Sequence, residues 1–335
     1  EIYTLSLHDA LPIYELPILR VLAAAAAAAL GLTPTGCGTT ASRAPASDGY
    51  PLTVADCGRD VTIGSAPRRV LTIGTAAVEL LDAAGASDRI VARTGEFGAS
   101  LPADLKNPPS DGLITDPSDP TTEEIIAAEP DLVLGYGLFN ADAQQLADAG
   151  IALLTVQAEC GHDDGSSASP VTLSTVSDDV RRLGTVFSTS STADAAADAL
   201  DQRVSGARRA ETGRTAAWVY YFSSQDPLSA YGGGGLAASV LKDAGLTSVY
   251  AESRDAYLSV SVESLLERRP HWIVLGYGLY GESAEEARAR FLAEPGVEAL
   301  EAVSAGRIVL LPAGASSSSP TAVAGLEQLV SATAE

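Results

Sequence analysis

Residues 122–138 read TEEIIAAEPDLVLGYGL, and residues 262–279 read VESLLERRPHWIVLGYGL. Each opens with an amphipathic stretch, is cut by a proline (Pro130, Pro270) and passes into an apolar run ending Gly-Tyr-Gly-Leu. In each, a glutamate (Glu123, Glu263) stands seven residues before the proline, and the second copy carries one extra residue in its apolar run. Proline lacks the N–H and clashes with the preceding turn, so it closes the helix. The short apolar run after it suits a strand covered on both faces. Two similar α/β halves are the simplest architecture that accounts for the repetition.

The alternation continues outward from both copies. Arg69–Gly74 reads as a strand, Ala76–Ala84 as a helix stopping at Gly85, and Arg89–Arg93 as the next strand. Ala141–Ala149 is helical, with Gly150 in the stop position, and Ile151–Val156 is a strand. In the second half, Ala216–Phe222 is a strand, Leu236–Ala244 and Ala284–Leu292 are helices, Arg307–Leu311 is a strand and Pro320–Thr333 closes the chain as a helix. Such alternation implies parallel sheets with crossover helices. Between the halves, Val171–Ala210 has no strand pattern, and Ala193–Arg209 is rich in good helix formers. The expected fold is α/β: two Rossmann-like lobes with parallel-rich sheets, joined by one long α-helix, with a ligand cleft between them. The lobes are placed at 51–170 and 212–335, and the linker at 171–211.

The chain contains no methionine, and residues 1–13, EIYTLSLHDALPI, coincide with the translation of a common sequencing-library adapter. They are expected to be an artefact, in which case His8 and Asp9 carry no function. Residues 14–36 place Arg20 before the apolar run Val21–Leu32, too short for a membrane span of ~20 residues and suited to an export signal. Gly36 before Cys37 resembles the bacterial lipobox, whose cysteine is lipidated, although Pro34 stands where an aliphatic residue is usual; ordinary secretory cleavage is the alternative. The expectation is a lipoprotein signal over 14–36, lipidation of Cys37, an anchor to the outer face of the cell membrane, and a flexible tether over 37–50. In an exported chain the remaining Cys57 and Cys160, both near ends of predicted strands, most simply form a disulfide. A thiolate metal site would need partners, and beyond Cys37 the only histidines are His162 and His271; no metal site is expected.

Forty-three acidic residues against 21 basic ones give a net charge of −22, which argues against a nucleic-acid partner, since phosphate binding needs a basic face. No G-x-S-x-G elbow, H-E-x-x-H or supported Cys–His pair is present, so an enzyme is not expected. Gly276-Tyr277-Gly278-Leu279-Tyr280-Gly281 matches G-x-G-x-x-G, but the next strand ends in Pro312 rather than in the acidic residue a dinucleotide site requires. It reads better as a tight turn lining a cleft.

Cys57–Ile63, Ala66–Leu71, Glu79-Leu80-Leu81 with Gly85, the Glu123…Pro130-Asp131 block, and Gly233-Gly234-Gly235-Leu236 before a helix together resemble the cobalamin- and siderophore-type periplasmic binding proteins of ABC importers. The similarity runs from about residue 52 to the C-terminus, and no single motif carries it; the ordered set does. The resemblance implies a lobe–helix–lobe monomer of limited hinge motion, without a cofactor, that holds its ligand between the lobes. It also implies that a glutamate on each lobe, here Glu123 and Glu263, docks onto arginines of the membrane permease, which works with its ATPase. From the residues alone, either glutamate is equally a helix-start residue favoured by the helix dipole.

In open α/β sheets, ligands sit beyond the carboxyl ends of the strands. The loops there carry Thr75, Arg93, Phe97, Tyr136, Phe139, Tyr221, Tyr231, Tyr277 and Tyr280, with Phe222 and Ser316–Ser319 nearby. Aromatic faces suit a large, partly apolar chelate whose metal is already coordinated, and Arg93 could pair with an anionic edge of it. A ferric siderophore is the expected ligand, with cobalamin or haem as alternatives; a chelate-binding lipoprotein without a permease is the competing role.

Overall fold

In the computed structural model, which describes residues 49–161 and 171–334, the two quoted segments form the same unit twice. The expectations for residues 1–13, the export signal, Cys37 and His162 fall outside the described residues. In the first lobe, a hairpin of β1 (Leu52–Asp56) and β2 (Arg59–Ile63) precedes β3 (Val70–Ile73), α1 (Thr75–Ala84), β4 (Ile90–Thr94) and β5 (Ile114–Asp116). Then come α2 (Thr122–Ala127), β6 (Leu132–Gly135), α3 (Ala143–Asp148) and β7 (Ala152–Thr155). The five strands β5-β4-β3-β6-β7 are all parallel, and every residue of β3 and β6 is buried, as continuous apolar runs require.

Two helices follow, α4 (Ser174–Val186) and α5 (Ser190–Ala207). The second lobe contains β8 (Arg214–Tyr220), β9 (Ser229–Tyr231), α6 (Leu236–Asp243), β10 (Leu246–Ser248), β11 (Tyr257–Ser259), α7 (Val262–Arg268) and β12 (Trp272–Tyr277). It ends with α8 (Ala284–Leu292), the short α9 (Glu301–Ser304), β13 (Ile308–Pro312) and α10 (Pro320–Ala332). Its sheet runs β11-β9-β8-β12-β13, with β10 beside the start of β8. Here β8, β10, β12 and β13 are parallel, whereas β9 and β11 add antiparallel.

The repeated segments share a device that their spelling only hints at. Helix α2 is followed by Glu129 at φ 48°, and α7 by Arg269 at φ 47°, each immediately before its proline. The pyrrolidine disfavours the right-handed helical region for the residue before it. A left-handed residue there turns the chain sharply into the buried strand.

The connector differs from a single helix. The long α5 is present, but α4 precedes it, and the two pack as a hairpin through a turn in which Ser188 has φ 58° and the Thr189 amide donates to the Gly184 carbonyl at 2.8 Å. Gly184 lets the helices touch: a Cβ there would lie 2.2 Å from that of Ala193. Tyr50, at the end of the expected tether, is buried, and its hydroxyl donates to the Val186 carbonyl. The hairpin of β1 and β2, for which the sequence reading gave no bounds, is tied down by Asp56. That buried carboxylate accepts from Arg182 at 3.1 Å and from the Thr155 amide at 2.7 Å. Beside it a disulfide joins Cys57 to Cys160 across 103 residues.

One core runs through both lobes. Leu80 and Leu81 of α1, Val180 and Leu183 of α4, Leu200 of α5, Val240 of α6, and Leu326 and Leu329 of α10 belong to a single buried cluster. Within it, Glu79 of α1 accepts from the Thr321 hydroxyl at 2.7 Å and the Thr321 amide at 3.1 Å, at the start of α10. Burial pushes the Glu79 carboxyl from the ordinary 4.5 to about 7, against the hydrogen bonds from Thr321 and Ser319.

In the window from 4.5 to about 7, the folded protein holds a proton on Glu79 that the unfolded chain releases. Stability should therefore fall as pH rises through that window, by about 3 kcal/mol at most, given ~1.4 kcal/mol per tenfold. Glu79→Gln should flatten this slope in urea unfolding compared at about pH 5 and about pH 8; an unchanged slope would place the titrating group elsewhere. Gly184→Val should lower the unfolding free energy by roughly 1–3 kcal/mol through overpacking. Gly206→Ala in α5, where an added Cβ meets nothing within 4 Å, should leave it unchanged or raise it. Equal effects from the two would contradict the close helix contact.

Candidate ligand cleft

The carboxyl ends of both sheets face a cavity of about 480 Å³ lined by both lobes. From the first lobe come Gly74 and Thr75 after β3, Gly95 and Phe97 after β4, Asp119 after β5, Tyr136 and Phe139 after β6, and Val156 and Glu159 after β7. From the second come Tyr220, Phe222, Tyr231, Tyr257, Leu279, and the turn of Ala313, Gly314, Ser316 and Ser317 after β13. In the first sheet the crossovers run to opposite sides of β3, so the loops after β3 and β6 part and leave a crevice, the usual place for a ligand.

The second lobe supplies a continuous aromatic wall. Tyr220 and Tyr231 stack at 4.5 Å between centroids, Tyr257 leans on Tyr231 at 5.8 Å, and the buried Trp218 meets the edge of Tyr231 at 5.9 Å. Offset and edge-on rings of this kind are the favoured aromatic arrangements. The Tyr231 hydroxyl accepts from Ser316 at 2.8 Å. On the first lobe, Tyr136 lies 6.0 Å from Phe139, and its hydroxyl donates to Asp119. Gly95, at φ 64°, permits this placement, since a Cβ there would come within 2.5 Å of the Tyr136 hydroxyl.

Two contacts between the lobes bracket the cavity. Phe97, held at φ 50° with its amide on the Pro117 carbonyl, meets Phe222 at 5.8 Å. The Tyr257 hydroxyl donates to Glu159 at 3.4 Å. Burial pushes the Tyr220 hydroxyl up to about 12. Burial also raises Tyr136, with Asp119 adding to the effect, and Tyr231, with Tyr220 adding to it. These phenols keep their protons at neutral pH, so each offers a ring face and a donor. Such a wall can hold a bulky, partly apolar solute by stacking and hydrogen bonds. Among the described residues, no group of three or more His, Cys, Asp or Glu side chains is placed to hold a metal ion.

Of the residues expected in the cleft, the structure brings together Thr75, Phe97, Tyr136, Phe139 and Tyr231. It removes four. Arg93 is buried, with Nε and one terminal nitrogen on the Glu96 carboxylate, both at 2.8 Å, so its charge is already matched within the lobe. Tyr221 points to the opposite face of the sheet from Tyr220, as successive strand residues must; its hydroxyl donates to Glu294 at 2.8 Å and the Arg290 guanidinium lies 3.7 Å above its ring. Tyr280 accepts from Arg290 at 3.2 Å on that same side. Tyr277 lines a neighbouring cavity of about 440 Å³ with Glu79, Glu282 and Glu286. The Gly278–Gly281 turn borders both cavities, with Gly278 and Gly281 on this second one and Leu279 on the aromatic one.

Sequence reasoning missed Tyr220, Tyr257, Asp119 and Glu159. Strand alternation from Trp218 would have found Tyr220. Tyr257 lies in a three-residue strand without an alternation signal, Asp119 lies in an irregular loop, and Glu159 ends a single 3-10 turn after β7.

Glu123 and Glu263 are exposed in the first turns of α2 and α7. For α2 the capping role belongs to Thr121 and Glu124, which form a reciprocal box, so Glu123 is not the cap. For α7, Ser261 accepts from the Ser264 amide, and hydrogen bonds from the Glu263 amide and from Ser261 hold the Glu263 carboxyl below its usual value.

Comparison with known proteins matches residues 70–315 to the family described as periplasmic binding protein. The vitamin B12-binding protein of Salmonella typhimurium is 30% identical over 227 residues, covering 66% of this chain and 76% of that protein. The crystal structure of an ABC-type Fe3+-hydroxamate transport system from Saccharomonospora viridis superposes with a TM-score of 0.73 at 26% identity, covering 85% of this chain and all (100%) of that one. A periplasmic heme-binding protein of Vibrio cholerae shares the fold alone, with a TM-score of 0.62 at 18% identity, over 80% of this chain and 99% of that one. The chain belongs to the periplasmic binding protein family, with two sheet-based lobes enclosing a cleft.

Proposed function

We propose that the protein is the extracytoplasmic solute-binding subunit of an ABC importer, and that it captures a ferric siderophore and delivers it to a membrane permease. The observation that carries this reading is the cavity of about 480 Å³ walled by aromatic rings from both lobes. Its size lies in the lower half of the ~300–1,000 Å³ usual for small-molecule sites, which suits a compact hexadentate chelate. Likeness to an Fe3+-hydroxamate transport protein at 26% identity supports the same class. A corrinoid is the second reading, favoured by 30% identity to a vitamin B12-binding protein; its larger body would need the lobes to stand further apart. The proposal includes the export signal over 14–36 and the lipid anchor at Cys37.

Glu123 and Glu263 are proposed to dock onto the permease. Crossover helices run antiparallel to the strands they connect, so the first turns of α2 and α7 lie at the cleft end of each lobe. Exposed ion pairs contribute only ~0–1 kcal/mol each, so such contacts would set register and partner choice more than affinity.

Titration with ferric trihydroxamates, ferric catecholates, haem and cobalamin should show saturable quenching of Trp218 fluorescence by a ferric trihydroxamate. Tyr220→Ala should weaken that binding about tenfold, from the loss of stacking and buried area. Quenching by cobalamin alone would select the second reading, and no quenching by any of the four would end both. A Glu123→Ala/Glu263→Ala double variant should bind chelate normally yet fail to support uptake; normal uptake would refute the docking role.

A further inference from the structure

We propose, on the reading just given, that the ligand site has two compartments: the aromatic cavity for the chelate itself, and the neighbouring cavity of about 440 Å³ for a pendant arm ending in an amine. The two cavities share Thr75 and Ala99 from the first lobe and Ala313 and Gly314 from the second. All four are small and half-buried, so they frame a neck between the compartments. The turn Gly278–Gly281 runs beside this neck, with Leu279 on the aromatic side and Gly278 and Gly281 on the other. Here the lobes meet backbone to backbone. A Cβ on Gly281 would lie 3.0 Å from the Gly98 carbonyl oxygen, and one on Gly98 would lie 3.2 Å from that of Tyr280. Both glycines hold positive φ, at 87° and 91°, a conformation that costs them little. The glycine motif thus brings two loops together around the passage without side chains that would fill it.

The second compartment differs from the first in chemistry. Glu79, Glu282 and Glu286 line it, and among the described residues no Lys, Arg or His joins them. Two of these carboxylates are engaged. Glu79 accepts from the Thr321 hydroxyl and amide, and Glu286 accepts from the Ser283 amide and hydroxyl, both at 2.8 Å. Glu282 differs. It is 8% exposed, one oxygen accepts from the Tyr280 amide at 3.1 Å, and the other takes no hydrogen bond among the described residues. A buried acceptor without a donor is uncommon, and a donor carried by the ligand would satisfy it.

Among the described residues these carboxylates are not placed to hold a metal ion, which leaves an organic donor. An ammonium suits an acidic lining, because charge-assisted hydrogen bonds are the strong ones. A water molecule's share of liquid volume is about 30 Å³, so the compartment has room for a short alkyl amine.

One ferric trihydroxamate scaffold tests this, its free end carrying a methyl, a hydroxypentyl or an aminopentyl group. Titrated against the full chain by tryptophan fluorescence at physiological ionic strength, both armed complexes should bind at least about tenfold tighter than the methyl form, since buried methylenes outweigh the ordering of the arm. The aminopentyl form should bind tightest. Ser100 is exposed and lines the second compartment but not the first. Ser100→Phe should erase the gain of both arms and leave the affinity of the methyl form unchanged. Glu282→Gln should bring the amine and alcohol arms level while both still exceed the methyl form. Equal affinity of all three forms for the unsubstituted protein overturns the second compartment and leaves chelate binding standing, as does an arm advantage that survives Ser100→Phe. An alcohol arm that matches the amine arm in the unsubstituted protein overturns the role of Glu282. Failure of all three forms to bind overturns the siderophore reading on which the proposal rests.

Discussion

The interior shared by α1, α4, α5, α6 and α10 is the constraint on which the cleft depends. Two small sheets with short strands would each bury little on their own. Here their helices merge into one apolar cluster with members from both lobes. Glu79 reaches from α1 to the first turn of α10 inside that cluster, and Arg203 of α5 forks onto Glu327 of α10 at 2.9 and 2.8 Å nearer the surface. Lobes joined by a packed helical layer have fewer relative positions open to them than lobes joined by a strand or a flexible linker. The two walls of the cavity therefore face each other before a ligand arrives, which lowers the ordering cost of binding.

On that frame the division of labour is simple. Strands of the first sheet deliver loops with Gly74, Gly95 and the carboxylates, and the second sheet delivers the stacked tyrosines. Contacts between Phe97 and Phe222 and between Tyr257 and Glu159 link the lobes at the rim rather than in the interior. Rim contacts are individually weak, so they can part for a ligand while the helical core stays intact. The buried ion pair of Arg93 and Glu96 serves the first wall by stiffening the β4 loop that carries Phe97. Its near-complete burial explains why an arginine next to the cleft adds no charge to it.

The repeated segment was legible because its causes are local. A capped helix start, a proline stop and an apolar run are written in consecutive residues, so α2 with β6 and α7 with β12 could be placed without coordinates. The same holds for α1, α6, α8 and α10, where apolar periodicity and glycine or proline punctuation coincide. The short β9, β10 and β11 were not legible: a strand of three residues has no period to detect. The α4 helix was absorbed into the connector because polar residues fill its exposed face and its break with α5 depends on one left-handed serine.

Sequence alone thus determined the class of fold, the doubling of the α/β unit, the family resemblance and the aromatic character of the strand-end loops. Tertiary structure decided which of those aromatics meet. Tyr220 and Tyr221 are neighbours in the chain, yet pleating sends one to the cleft and the other to Arg290 and Glu294. Whether Arg93 faces a ligand or a glutamate, and which acidic loop residues enter the cavity, depends on contacts between segments far apart in the chain. A one-dimensional pattern records periodicity along the backbone, whereas a binding surface is made by the crossing of loops whose relation only packing establishes.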